Sequence, residues 1–167
     1  MIDKENKMLD LIAVGAGEVF EKYWFPAIQK SGKSKKAHLV GIVEPRGLRL
    51  WSLTKIIPNP EEIWSATSTD RIPDDVSRDT IVLVLTPDHF PVVEALAKKG
   101  FRNIVVEKPL VSRDHELPLI LELAERYALK LYSVDMYLPK TFSLVGVLGG
   151  LNNADPRHAF FSCTRDC

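Results

Sequence analysis

Cysteine is nearly missing from this chain of 167 residues; two occur, Cys163 and Cys167, both at the extreme C-terminus. Two thiols in one terminal stretch cannot brace a fold, which excludes a disulfide framework and makes the cytoplasm the expected compartment. With His158 they make no tetrahedral set, so no metal site is expected and a tail with free thiols is the simpler account. Charge of one sign is not in excess, because Lys and Arg together equal Asp and Glu at 22 each. Nothing in that balance argues for nucleic acid or an anionic membrane as a partner. Long apolar runs are also wanting: none approaches the roughly 20 residues of a membrane span. The opening residues Met1 to Lys7 are polar and charged, unlike a signal peptide. No internal repeat or low-complexity linker divides the chain.

What is present alternates. Leu9 to Val14 is a short, nearly continuous apolar run, as expected of a strand buried on both faces. A helix is expected from about Glu18, interrupted or kinked at Pro26 after Tyr23-Trp24-Phe25. Leu39 to Val43 reads as a second strand and Ile81 to Leu85 as the clearest strand of all. Asp88 is placed to cap a helix reaching Lys99, with Gly100 as its stop. Ile104 to Val106 is a further strand. Leu117, Ile120, Leu121, Ala124, Tyr127 and Ala128 fall at helical spacing and predict one face laid on a sheet. Leu129 to Val134 closes as a last strand. The stretch from Gly47 to Asp79 is broken by Pro58, Pro60 and Pro73 and yields no clear element. Strand alternating with helix predicts an α/β fold, a doubly wound parallel sheet with right-handed crossovers. The length suits one domain, or one domain and a piece of another.

Chemistry concentrates at the predicted strand ends, where open α/β sheets bind their ligands. After the first strand comes Gly15-Ala16-Gly17. Gly15 permits a tight turn, and Gly17 lets the main chain approach a pyrophosphate at the N-terminus of the helix. Glu18, Val19 and Phe20 complete that turn, but Glu18 brings a carboxylate near the phosphate position and Phe20 replaces the third small residue of the pattern. The second strand ends in Glu44-Pro45-Arg46. An acid there can hold a ribose 2′-hydroxyl and a nearby arginine a 2′-phosphate, so the two residues pull in opposite directions between NAD and NADP. The basic loop Lys30 to Lys36 lengthens the spacing to Glu44 and reads as a solvated helix C-terminus. Glu44 is otherwise an ordinary loop carboxylate.

The strand Arg102 to Val106 ends in Glu107-Lys108-Pro109, an acid and an ammonium held extended by the proline. Taken alone this is also a strand running into a polar turn. Thr86-Pro87-Asp88-His89 follows the clearest strand, with His89 placed either to orient the turn or to touch a cofactor. Trp24, Trp51 and Trp64 are most simply core or interface residues. Phe160-Phe161 calls for a cover, either a second copy of the chain in a homo-oligomer or sequence of a second domain.

Together these pieces resemble the N-terminal dinucleotide-binding domain of the glucose–fructose oxidoreductase/inositol dehydrogenase/MocA family. The likeness runs from about residue 9 to 138 and rests on Gly15-Ala16-Gly17, Pro26-Ala27-Ile28, Thr86-Pro87-Asp88-His89, Glu107-Lys108-Pro109 and Asp135-Met136-Tyr137. It implies a Rossmann-type sheet over residues 1–138, a nicotinamide cofactor (NAD or NADP, with NAD favoured by Glu44), and hydride transfer at a hydroxyl-bearing carbon of a sugar or polyol. Lys108 is then the catalytic residue, with Gly15, Gly17, Glu18, Val19, Phe20, Glu44, Arg46, Thr86, Pro87, His89, Glu107 and Pro109 around the cofactor. Departures are Phe20, Pro91 in place of a histidine, and Asp135-Met136 in place of His-Asn. The family's second domain binds substrate, whereas residues 139–167 read as its truncated start or a divergent tail, which predicts poor turnover by this chain alone. Asp155 and His158 only faintly echo that domain's acid–imidazole pair. The alternative is a nucleotide-binding or regulatory module that kept the fold and lost the chemistry.

Overall fold

Strand β1 (Leu9–Val14) lies between β2 (Ala37–Val43) and β4 (Ile81–Val84), parallel to both. The computed structural model describes residues 8–33 and 36–134. Among them six strands form one parallel sheet in the order β3-β2-β1-β4-β5-β6, with β3 at Trp64–Ala66, β5 at Asn103–Glu107 and β6 at Lys130–Val134. The order turns at β1 and β4, which makes their carboxyl ends the crevice of a doubly wound, Rossmann-type fold. Side chains alternate along β1: Leu11 and Ala13 enter one apolar cluster, Ile12 and Val14 the other. Both faces are covered, which is why the strand reads as a continuous apolar run rather than an alternation.

On one face Phe20, Trp24, Phe25 and Ile28 pack over the sheet. The helix that carries them starts at Glu18, as expected, but Pro26 does not break it. Residues Phe20–Trp24 form a π-helical segment, and the Phe25 N–H reaches back five residues to the Phe20 carbonyl. Helix α1 (Phe25–Lys33) then continues. Widening the turn just before a proline redistributes carbonyls that its ring would meet and its missing N–H would orphan. Lys30 and Lys33 lie in the last turn of α1, so the basic run begins at a helix C-terminus.

The other face receives α3 (Phe90–Lys98) through Val93, Leu96 and Ala97, and α4 (Glu116–Arg126) through Ile120 and Leu123. Helix α3 ends as foreseen at Gly100 (φ +97°), where the Phe101 N–H bonds Leu96 O and the Gly100 N–H bonds Ala97 O. This pair of bonds satisfies the last carbonyls of the helix. Its start differs: His89, not Asp88, occupies the cap position and makes no side-chain cap bond, while Pro91 lies in the first turn. The buried stripe of α4 differs in part, since of the expected residues Ile120, Ala124 and Tyr127 do pack against this core. Glu116, Ile120 and Leu123 face inward, whereas Leu117 and Leu121 are exposed. Ala128 lies past the helix in a left-handed turn (φ +50°). Spacing alone does not say which of two adjacent apolar rows meets the sheet.

The segment that resisted reading contains α2 (Gly47–Leu53), short 3₁₀ turns and β3. Strand β3 is fixed by one close approach: a Cβ on Gly41 would lie 2.1 Å from the Trp64 indole. Trp24 is fully buried, but Trp51 is 62% exposed with the Lys55 ammonium over its ring. Asp135-Met136-Tyr137, Asp155, His158, Phe160-Phe161, Cys163 and Cys167 lie outside the described residues, as does the stretch 139–167.

Candidate functional site

The chain leaves β1 through Gly15 with φ +91°, and a Cβ there would lie 2.9 Å from both Leu85 C and Thr86 N. A glycine is required because the main chain of the neighbouring strand passes this close. The Gly15 N–H donates to Val43 O and the Leu85 N–H to Val14 O, each at 2.8 Å, so three strand ends are tied together at the turn. Gly17 is different. Its φ is ordinary, and the nearest atom to an added Cβ is an Arg46 guanidinium nitrogen at 3.8 Å. The space over Gly17 is open, and the helix begins at the next residue. The first N–H groups of a helix lack intrahelical acceptors and favour an anion. An open glycine beside such donors fits a diphosphate.

Glu44 follows β2 and is only 2% exposed. Its Oε2 accepts the Ala16 N–H at 2.8 Å and an Arg46 terminal N–H at 3.1 Å. Its Oε1 accepts the Arg46 Nε–H at 2.6 Å and the Arg46 main-chain N–H at 3.1 Å. Burial by itself pushes this carboxyl up, but the Arg46 side chain, the two main-chain donors and the guanidinium charge outweigh it. The net result holds Glu44 below the usual carboxylate range. Glu44 is therefore not an ordinary loop acid. Nor do Glu44 and Arg46 pull in opposite directions in this state: they form one ion pair, with Arg46 mostly in solvent.

Glu18 is exposed and pairs with Lys22, one helical turn on, so its carboxylate is drawn along the helix. That hydrogen bond and charge hold it below its ordinary value. Val19 is partly buried. Phe20 is fully buried, 5.7 Å ring to ring from Phe25. A large third residue is accommodated because the helix widens into its π segment from Phe20 onward.

The second half of the site gathers at β4 and β5. The Thr86 hydroxyl donates to Asp88 O at 3.1 Å, Pro87 is exposed, and His89 is 2% exposed. Glu107 is half-buried at the end of β5. Lys108 is exposed and its main-chain N–H donates to Val134 O at 3.3 Å, which extends the ladder to β6; the Lys108–Pro109 peptide is cis. The two loops are joined by Ser112, whose hydroxyl donates to Pro87 O at 2.6 Å. Buried Glu116 holds that loop in turn, accepting the Ser112 and Arg113 N–H groups at 3.2 and 3.1 Å.

Sequence reasoning missed Arg49, Ser112 and Glu116. Ser112 and Glu116 are one residue further apart than a capping box, a near-signal that was available. Arg49 had none, because it lies in the proline-broken stretch and its partners, Ala16 and Gly17, are more than thirty residues earlier. Among the described residues no group of His, Cys, Asp or Glu is placed to hold a metal ion, and no helix is long and apolar enough to cross a membrane.

A model for an oxidoreductase family with an NAD-binding Rossmann fold, GFO_IDH_MocA, matches residues 10–135. Among solved structures, the WlbA dehydrogenase of Chromobacterium violaceum in complex with NADH and UDP-GlcNAcA is 20% identical, covering 77% of this chain and 35% of its own, with a TM-score of 0.63. The WlbA dehydrogenase of Bordetella pertussis, with the same two ligands, is 19% identical over 76% of this chain and 37% of its own, at a TM-score of 0.65. A 3-ketoreductase of Actinomadura kijaniata in complex with TDP-benzene and NADP is 15% identical over 87% of this chain and 42% of its own, at a TM-score of 0.61. At such identities the likeness is one of fold. The chain spans roughly a third of the length of the two WlbA structures it matches. No curated protein matches its sequence.

Proposed function

The chain belongs to the GFO_IDH_MocA oxidoreductase family with its NAD-binding Rossmann fold, and from that premise we propose that it is the cofactor-binding part of a dehydrogenase acting on a hydroxyl-bearing carbon of a sugar or polyol. The observation that carries this reading is the open glycine turn beside buried Glu44 at the carboxyl ends of β1 and β2. Main-chain N–H groups from Gly17 to Phe20 hold the pyrophosphate, and Gly15 makes the turn that presents them. Glu44 receives the ribose hydroxyls in exchange for part of its Arg46 pairing, which favours NAD over NADP. Thr86, Pro87 and His89 on one loop, and Glu107, Lys108 and Pro109 on the other, form the wall at the nicotinamide end.

Nicotinamide, when bound, supplies the hydride acceptor or donor. Lys108 exchanges a proton at Nζ with the reacting hydroxyl, and Glu107 orients the lysine. The substrate is received by a second domain of the kind the family resemblance implies. Exposure of Lys108 favours a second reading as well, a dinucleotide-binding module without chemistry. The first test is thermal: ligand at a hundred times its dissociation constant stabilises a fold by about 2.7 kcal/mol. A folded sample with no shift in millimolar NAD or NADP ends both readings. A shift without turnover of any sugar or polyol by the full-length protein leaves the second.

A further inference from the structure

Among the described residues, Arg49 grips the glycine turn itself from outside the strand ends. From α2 its Nε–H donates to Ala16 O at 2.8 Å and a terminal N–H donates to Gly17 O at 3.3 Å. The same terminal nitrogen also pairs with the Glu21 carboxylate. Arg49 is three-quarters buried at its side chain. In a planar trans peptide the carbonyl and the following N–H point in opposite directions. Holding the carbonyls of Ala16 and Gly17 toward α2 therefore turns the N–H groups of Gly17 and Glu18 away from α2, to the open side of the turn. The Ala16 N–H is already held by Glu44. Two cross-ties thus divide the turn, Glu44 on a donor and Arg49 on two acceptors, the second of which, Gly17 O, also accepts the Glu21 N–H of the helix at 3.1 Å; the donors left over are the ones a diphosphate needs.

We propose that Arg49 is a positioning residue for the pyrophosphate of the cofactor, acting through the Ala16 and Gly17 carbonyls and not by contact with phosphate. This rests on the dinucleotide-binding reading above. Geometry, not charge, is the agent: Glu21 pairs with the guanidinium, and three of its five N–H donors are engaged along the Nε–Nη2 edge. A lysine in its place keeps the charge but cannot span two carbonyls and a carboxylate in one plane.

The experiment titrates the folded chain with NAD, ADP and adenosine, for the wild type, Arg49→Ala and Arg49→Lys, and records the Gly17 and Glu18 amide resonances of each free protein. Loss of charge-assisted hydrogen bonds of this kind corresponds to roughly a ten- to hundredfold weakening. NAD and ADP should weaken by that factor, and equally, in both variants, while adenosine, followed by its shifts around Glu44, binds as before. The Gly17 and Glu18 amides should move or multiply without cofactor. Full affinity in Arg49→Lys overturns the proposal, because charge alone then suffices. So does an equal loss for adenosine, or unaltered amides in Arg49→Ala. A wild type that binds neither NAD nor ADP defeats the underlying reading instead, and this positioning role with it.

Discussion

Glu44 Oε2 accepts the Ala16 N–H at 2.8 Å across a sequence separation of 28 residues. This single bond couples the end of β2 to the glycine turn after β1, so in the proposed site the acid assigned to the ribose also shapes the turn assigned to the phosphates. The two parts of the proposed dinucleotide site are thereby linked by one carboxylate, which is ionised in the folded state at neutral pH.

That ionisation makes a prediction about acid stability. The folded carboxyl lies below its ordinary value, so its stabilisation is complete above the unfolded value near 4.3 and is lost as pH falls through the folded one. Glu44→Gln should cost about 1–3 kcal/mol at pH 7, from charge-assisted bonds lost in a buried place. Urea unfolding at pH 7 and near pH 3 measures it. The gap between wild type and variant should shrink at the lower pH; a constant gap means that Glu44 ionisation does not stabilise the fold.

The two glycines should separate stability from binding. Gly15→Ala forces a left-handed residue against main-chain atoms at 2.9 Å and should destabilise by at least about 2 kcal/mol. Gly17→Ala meets nothing nearer than 3.8 Å and should leave stability within about 1 kcal/mol or raise it slightly. Its methyl group fills the open cradle, however, so dinucleotide affinity should drop at least severalfold. Thermal melts and NADH titration of both variants check the contrast.

Cofactor choice should follow Glu44. Glu44→Ser removes the buried negative charge and frees Arg46, so the affinity ratio of NADP to NAD should rise about tenfold or more, as expected for removing one like-charge contact and gaining a charge-assisted one. An unchanged ratio would show that Glu44 does not read the ribose.

Lys108 should matter for turnover more than for cofactor binding. One acid–base group contributes about a hundred- to ten-thousand-fold in rate. Lys108→Met in the full-length protein should lose kcat on that scale with NAD affinity changed little. Residues 1 to 167 alone should turn over poorly, since substrate positioning is expected from a second domain. Brisk turnover by the 167-residue chain would contradict this.

A last prediction concerns the helix end at Ala128, which holds φ +50° while Leu129 N–H bonds Ala124 O and Ala128 N–H bonds Glu125 O. Glycine adopts this conformation without a Cβ penalty, so Ala128→Gly should stabilise by about 1 kcal/mol. A lower melting temperature for the variant would refute it.

Strand positions were legible because a strand span buried on both faces must be apolar, and Leu11–Val14, Ile81–Val84 and Ile104–Val106 are. Gly100 was legible as a helix stop because a left-handed turn restricts residue type. Helix α2 and strand β3 were not, since β3 has three residues and depends on Trp64 closing over Gly41, a contact with no local signal. On α4 the expected inward row holds at Ile120, Ala124 and Tyr127 and fails at Leu117 and Leu121, for a related reason. Two apolar rows lie side by side on it, and only the sheet selects between them.

At the site, sequence by itself determined which residue types stand at the strand ends: two glycines, an acid, a threonine–proline pair and an acid–lysine–proline run. Tertiary structure decided what those residues do to one another. It buried Glu44 against the Ala16 N–H, left Lys108 exposed, and brought Arg49 onto carbonyls more than thirty residues away. Local patterns encode backbone preference and burial, which act over a few residues. Hydrogen-bond partners and burial of charge depend on which strand ends the sheet order makes neighbours, and that order exists only once the chain has folded.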